Sequence, residues 1–111
     1  MRLATMILPT HDNDGGDLRH VHLALQGQLV DTFGGFTCVD SLGGWKDDAT
    51  GKLHVEPGKV YSVAMGQGRS MEWNNLARFY GYMAKQVCVL VSHYNGDVEF
   101  VDCSDKVSVS A

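Results

Sequence analysis

Trp73-Asn74-Asn75-Leu76-Ala77-Arg78-Phe79-Tyr80-Gly81-Tyr82-Met83-Ala84-Lys85-Gln86-Val87-Cys88-Val89-Leu90-Val91 is the stretch that decides the fold. Trp73, Leu76, Ala77, Tyr80, Ala84 and Val87 recur at helical spacing and predict an amphipathic helix. Val87 to Val91 is then a continuous apolar run, which predicts a central strand buried on both faces. One amide, Gln86, stands at the junction. Gly81 costs the helix about 1 kcal/mol relative to Ala and so marks a point of close packing. Ser70, after the loop Gly66-Gln67-Gly68-Arg69, is the expected N-cap.

The pattern extends in both directions. Upstream, Leu3 to Leu8 predicts a first strand ended by Pro9. Thr10 to Gly16 is a polar loop. Asp17 is placed to cap a helix on which Leu18, Val21, Leu25 and Leu29 form the apolar stripe, down to about Thr32, with Gly34-Gly35 as its stop. Phe36 to Asp40 predicts a second strand, and Ser41 to Gly51 a long hairpin loop. Leu53 to Met65 predicts a third strand, bent or bulged at Pro57-Gly58. Downstream, Asn95-Gly96 signals a hairpin turn into a last strand, Val98 to Val101. The order β-α-β-β-α-β plus a final strand predicts an α+β, ferredoxin-like sandwich, with an antiparallel sheet and two helices on one face. Residues 1–104 form the domain and residues 105–111 a loose tail. The uncovered apolar sheet face predicts a homo-oligomer.

Composition bounds the function. A chain of 111 residues is one domain. Its formal net charge is −4, and no basic stripe is present, which argues against nucleic acid as a partner. No run approaches the roughly 18 apolar residues of a membrane span, and no signal peptide is visible. The 3 cysteines, Cys38, Cys88 and Cys103, are unevenly spaced and read as reduced thiols in a cytoplasmic protein.

Several residues could carry chemistry. His20 and His22 form an H-x-H pair, but on a helix the two rings point about 200° apart. This fits one partly buried and one solvated ring better than a zinc site. His11, Asp12 and Asp14 could hold a metal, yet no Glu completes an EF-hand loop, and an Asn/Asp/Gly turn explains them as well. Gly66-x-Gly68 beside Arg69 could seat an anion at a helix start, or be a simple loop. Trp45, Glu56 and Gln86 make the most suggestive set. A carboxylate and an exposed aromatic face suit a cationic ligand. Equally, they read as an exposed Trp, a solvated Glu and a helix-terminal Gln.

Three stretches are similar to the phage S-adenosylmethionine lyases. They are Arg19-His20-x-His22, then Gly44-Trp45 with Glu56 downstream, and Asn75-x-Ala77-Arg78 with Gln86-x-Cys88-Val89-Leu90-Val91. The last is the closest match. Phe33-Gly34-Gly35-Phe36-Thr37 also resembles a segment of small ferredoxin-like proteins of unknown function. The resemblance to the lyases implies a ferredoxin-like trimer with its active site between subunits. It implies that Glu56 is the catalytic or substrate-holding carboxylate, and that Trp45, Gln86 and Arg78 bind the substrate, S-adenosylmethionine. It implies a cleavage to methylthioadenosine and homoserine lactone that needs no metal and no cofactor. A phage enzyme of this kind would act in the host cytoplasm and deplete the methyl donor of restriction–modification systems. The family usually has Tyr where this chain has Trp45. Two other readings compete: a non-catalytic oligomer that binds a nucleotide-like ligand or a host protein through the loop from Ser41 to Gly51, and a metal-dependent hydrolase using His11, Asp12 and His54.

Overall fold

A computed structural model describes residues 1–104; the tail expected at residues 105–111 lies outside the described residues. The elements are β1 (Arg2–Pro9), α1 (Arg19–Phe33), β2 (Thr37–Lys46), β3 (Leu53–Met65), α2 (Ser70–Met83), β4 (Cys88–Ser92) and β5 (Val98–Asp102). They form one antiparallel sheet in the order β2-β3-β1-β4-β5. This is the ferredoxin-like order expected from the sequence, with β5 added beyond β4 by the Asn95-Gly96 hairpin.

Period-two alternation decides which side chains meet the helices. Ala4, Met6 and Leu8 of β1, Tyr61, Val63 and Met65 of β3, and Val89 and Val91 of β4 are buried on that side. Leu18, Val21, Leu25 and Leu29 of α1 and Trp73, Leu76, Ala77 and Tyr80 of α2 cover them, as the helical stripes require. Arg69 ties the two helices together. Its guanidinium lies 4.2 Å from the Phe33 ring centroid and donates to the Thr32 carbonyl, while Nε donates to Glu72. The arginine once considered for an anion site is therefore engaged in structure.

Gly81 marks the close contact that its sequence position suggested. A Cβ there would press on Cys103 Sγ and come within 2.7 Å of Val89 Cγ2. The α1 stop is also as expected: Gly34 sits at φ +87° and returns its N–H to Val30.

Five local expectations are corrected. The strand β4 is not buried on both faces. It lies one strand from the edge, Val89 and Val91 face the helices, and Cys88 is exposed. Val87 is exposed rather than part of the α2 stripe, because the helix ends before it. Ser70 is the first helical residue and Arg69 the cap, with no side-chain cap bond. Asp17 acts one residue early: Leu18 is the cap, and Asp17 Oδ1 accepts from the Arg19 N–H at 2.8 Å.

The fifth correction concerns the β2–β3 hairpin. The sequence suggested a loop from Ser41 to Gly51, but β2 continues to Lys46, and only residues 47–52 turn. Asp47 fastens that turn by accepting from Ala49 and Thr50, and Gly51 takes φ +72°. Pro57-Gly58 makes no bulge, since the register runs unbroken from Trp45↔His54 to Thr37↔Ser62. Pro57 is tolerated because β1 ends opposite Gly58, so the missing N–H falls past its last pair. Gly58 is required there: a Cβ would sit 2.9 Å from the Leu8 carbonyl oxygen. Beyond that point, among the described residues, residues 42–46 and 53–56 pair only with each other, while the Pro57 carbonyl still accepts from the Thr10 N–H at 3.2 Å. They form a two-stranded ribbon that projects past the sheet.

Candidate functional site

The ribbon carries Trp45 and Glu56. Gly43 pairs with Glu56 and Trp45 with His54, so alternation puts Trp45, His54 and Glu56 on one face of the ribbon. That face is continuous with the uncovered sheet face of Val39 and Val60. Trp45 is 52% exposed, and His54 stacks on it with ring centroids 4.3 Å apart and planes 13° from parallel. Glu56 is exposed. Leu42, Leu53 and Val55 occupy the opposite ribbon face, all exposed, with no helix above them. The expectation that Trp45 has no core demanding it holds, although the residue belongs to a strand and not a loop.

Gln86 is set by the way α2 stops. Lys85 adopts φ +58°, and the Gln86 N–H returns to the Gly81 carbonyl at 2.9 Å, a Schellman-type ending. The Gln86 side chain donates to the Ala84 carbonyl at 3.0 Å and lines a cleft of about 430 Å³ with Tyr82, Lys85, Val87 and Cys103. This cleft opens at the same end of the sheet as the ribbon root, because Cys88 starts β4 where β1 and the β1–β3 pairing end. Strand β1 still separates it from Glu56. Arg78 is farther round on α2: it donates to Asn75 and adds its charge to the Ser104 N–H and hydroxyl bonds that hold the Asp102 carboxyl below its usual range. Within one chain, then, Trp45 and Glu56 are brought together, while Gln86 and Arg78 stand apart from them.

The remaining polar residues are largely occupied. Asp12 Oδ1 accepts from the Gly16 and Asp14 N–H groups, and those bonds lower its pKa. The side chains of His11, Asp12 and His54 do not converge, and among the described residues no three His, Cys, Asp or Glu side chains group as a metal would need. His20 is exposed and His22 buried, the split expected of an H-x-H on a helix.

His22 belongs to a network that the sequence did not reveal. Its Nε2 faces the Pro9 carbonyl at 2.8 Å, so Nε2 carries the proton. In the neutral ring Nδ1 then accepts from the Tyr61 hydroxyl at 2.7 Å, and the Tyr61 oxygen accepts from Gln26 at 3.2 Å. Burial pushes the Tyr61 phenol up to about 12. His22 and Gln26, with His11, Asp17, Arg19 and Lys59, wall a second cleft of about 340 Å³.

No protein-family model matches the chain, and no curated protein matches it in sequence. Solved structures do. A phage SAM lyase in complex with S-methyl-5'-thioadenosine is similar with a TM-score of 0.66 and 17% identity, over 90% of this chain and 88% of that one. A phage SAM lyase in the apo state is similar with a TM-score of 0.66 and 15% identity, over 95% of this chain and 91% of that one. The fold of this chain is thus the fold of those enzymes. No helix among the described residues is long and apolar enough to cross a membrane.

Proposed function

We propose that this chain is an S-adenosylmethionine lyase whose site is completed between copies of a homotrimer. The reaction is internal to the substrate. A carboxylate oxygen attacks the γ-carbon of the same methionyl chain. The Cγ–S bond breaks, and its electron pair goes to sulfur. The products are homoserine lactone and methylthioadenosine, with no proton or electron left over. Such a closure needs the folded-back conformer held in place and water kept away, more than it needs a strong base.

The residues have corresponding tasks. Trp45 lays its indole against the sulfonium, which a ring quadrupole attracts. Glu56 holds the positive charge of the ammonium or sulfonium while the chain folds back. Gln86 and Arg78 bind the rest of the substrate from a neighbouring copy. A head-to-tail ring suits this arrangement, because a heterologous contact joins two different patches of one surface. The patches would be the ribbon and the end of α2. In a phage-infected cell the enzyme would act in the host cytoplasm and deplete the methyl donor of restriction–modification systems.

One observation carries the reading. Trp45 and Glu56 share a face of an exposed ribbon, inside a fold matched over 90% of the chain by a lyase bound to a thioether of the expected kind. The test is an incubation of purified, assembled protein with S-adenosylmethionine, followed by mass spectrometry. Methylthioadenosine with homoserine lactone is the expected result. Intact substrate from folded, assembled protein would overturn it and favour a module that binds a nucleotide-like ligand or a host protein without chemistry.

A further inference from the structure

His54 has no part in the reading above, yet it is the residue in closest register with Trp45. The two are directly paired across the ribbon, with nearly parallel rings 4.3 Å apart. Among the described residues the ribbon has no core beneath it, so packing against the body of the domain does not fix the indole. Among the described residues, His54 is the aromatic ring stacked on Trp45. An indole free to rotate about two side-chain torsions would have to be ordered by its ligand, at a cost in affinity.

We infer that His54 is a positioning residue. It closes one face of the Trp45 indole, leaves the other open, and so sets a preference for a cationic sulfonium over a neutral thioether. The inference rests on the lyase reading and deepens it. Attraction between a cation and a ring depends on the cation lying over the ring face, so a fixed platform discriminates charge better than a swinging one. The same device favours product release. The sulfur loses its charge as Cγ–S breaks, and the thioether product loses that attraction. Where the sulfur keeps most of its charge in the transition state, the platform holds substrate and transition state about equally, so its loss appears in KM and not in kcat.

Three measurements test this. In the free protein, ring current from Trp45 should shift the His54 imidazole protons upfield in NMR spectra, and Trp45→Ala should abolish the shift. No upfield shift would overturn the stack whatever the enzyme does. In kinetics, His54→Ala should raise KM for S-adenosylmethionine roughly three- to tenfold, the range expected for one aromatic pair, with kcat within about twofold. His54→Phe, which keeps a stacking ring, should restore KM. In calorimetry, the preference for S-adenosylmethionine over S-adenosylhomocysteine should shrink in His54→Ala and return in His54→Phe. Unchanged KM and preference in His54→Ala, or His54→Phe as impaired as His54→Ala, would overturn the inference. Wild-type protein that neither binds nor cleaves S-adenosylmethionine, with the ring-current shift intact, would instead overturn the lyase reading and the charge preference together, leaving only the stack.

Discussion

The two tryptophans show how differently this molecule treats its two ends. Trp73 is 0% exposed. Its indole N–H donates to the Thr5 carbonyl at 3.0 Å, and its ring meets Phe33 edge-on. Trp45 is half-exposed on a ribbon with no covering layer, and its stacking partner is one imidazole. The first is placed by its own helix, the Phe33 ring of α1 and a hydrogen bond to β1. The second is placed by register alone. A buried ring with every contact satisfied stabilises the fold. An unburied ring of the same size contributes little to stability and is available to a ligand or a partner.

Substitutions can break or sharpen that contrast. Trp73→Ala should cost about 3–5 kcal/mol in denaturant unfolding, enough to unfold a domain of this size under mild conditions. Trp45→Ala should change monomer stability by no more than about 0.5 kcal/mol. If the two costs were alike, the ribbon would be part of the core after all.

Next in size is Glu56→Gln. The lyase reading expects turnover to fall about a hundredfold, the scale of one lost electrostatic partner at a reacting centre, with thermal stability and oligomeric state unchanged. Steady-state kinetics beside size-exclusion chromatography would separate these effects. Full activity in the variant would remove Glu56 from the site.

Tyr61→Phe tests the network under α1. It leaves His22 Nδ1 without its donor and should cost about 1–3 kcal/mol. Linkage supplies a second signature. The Tyr61 phenol ionises near its ordinary value of 10.0 when unfolded and at about 12 when folded. Below pH 10 it is neutral in both states and its contribution is intact. Between about pH 10 and 12 the unfolded chain releases the proton first, so stability falls as pH rises, by about 3 kcal/mol in total. Equilibrium unfolding across that range should show this decline in the wild type and a shallower one in the Phe variant, where the buried Tyr80 and Cys103, also raised by burial, still contribute.

The smallest expected effect is on the far side of the ribbon. Leu53→Lys alters a residue 66% exposed and should leave monomer stability within about 0.5 kcal/mol. If copies of the chain meet through the ribbon, the same change should shift analytical ultracentrifugation profiles toward monomer. An unchanged assembly would place the contact elsewhere, on the open sheet face of Leu3, Ile7 and Phe100.

Much of this was legible in the sequence because it depends on local periodicity. The α1 stripe of Leu18, Val21, Leu25 and Leu29, the Gly34 stop, the close approach at Gly81 and the Asn95-Gly96 turn each follow from spacing or from one residue's backbone needs. The errors came where glycines act without a steric demand. Gly43 and Gly44 read as loop, yet they sit in a paired strand where a Cβ would make only ordinary van der Waals contacts. Pro57 read as a break, yet it sits just past the end of its neighbour, where no donor is needed. The site was legible only in part. Trp45 and Glu56 stood out by their unlikely surroundings, whereas His54 stood out only as a candidate metal ligand, and its place against Trp45 showed no signal until the hairpin register was known. Gln86 stood out as the amide at the junction, but its side chain is directed by an αL ending at Lys85, where the sequence offered no glycine.

By itself the sequence determined the element order, the helix faces and the apolar character of both sheet faces, because these follow from periods of 3.6 and 2 along one chain. Tertiary structure decided what no local pattern encodes: that the end of β1 leaves a ribbon of β2 and β3 unsupported, that Trp45 meets His54 across it, and that His22 is buried against Tyr61. Each depends on which strand lies beside which and in what register. That choice is made by the whole core at once, because shifting one strand by a single residue would turn its buried side chains to solvent.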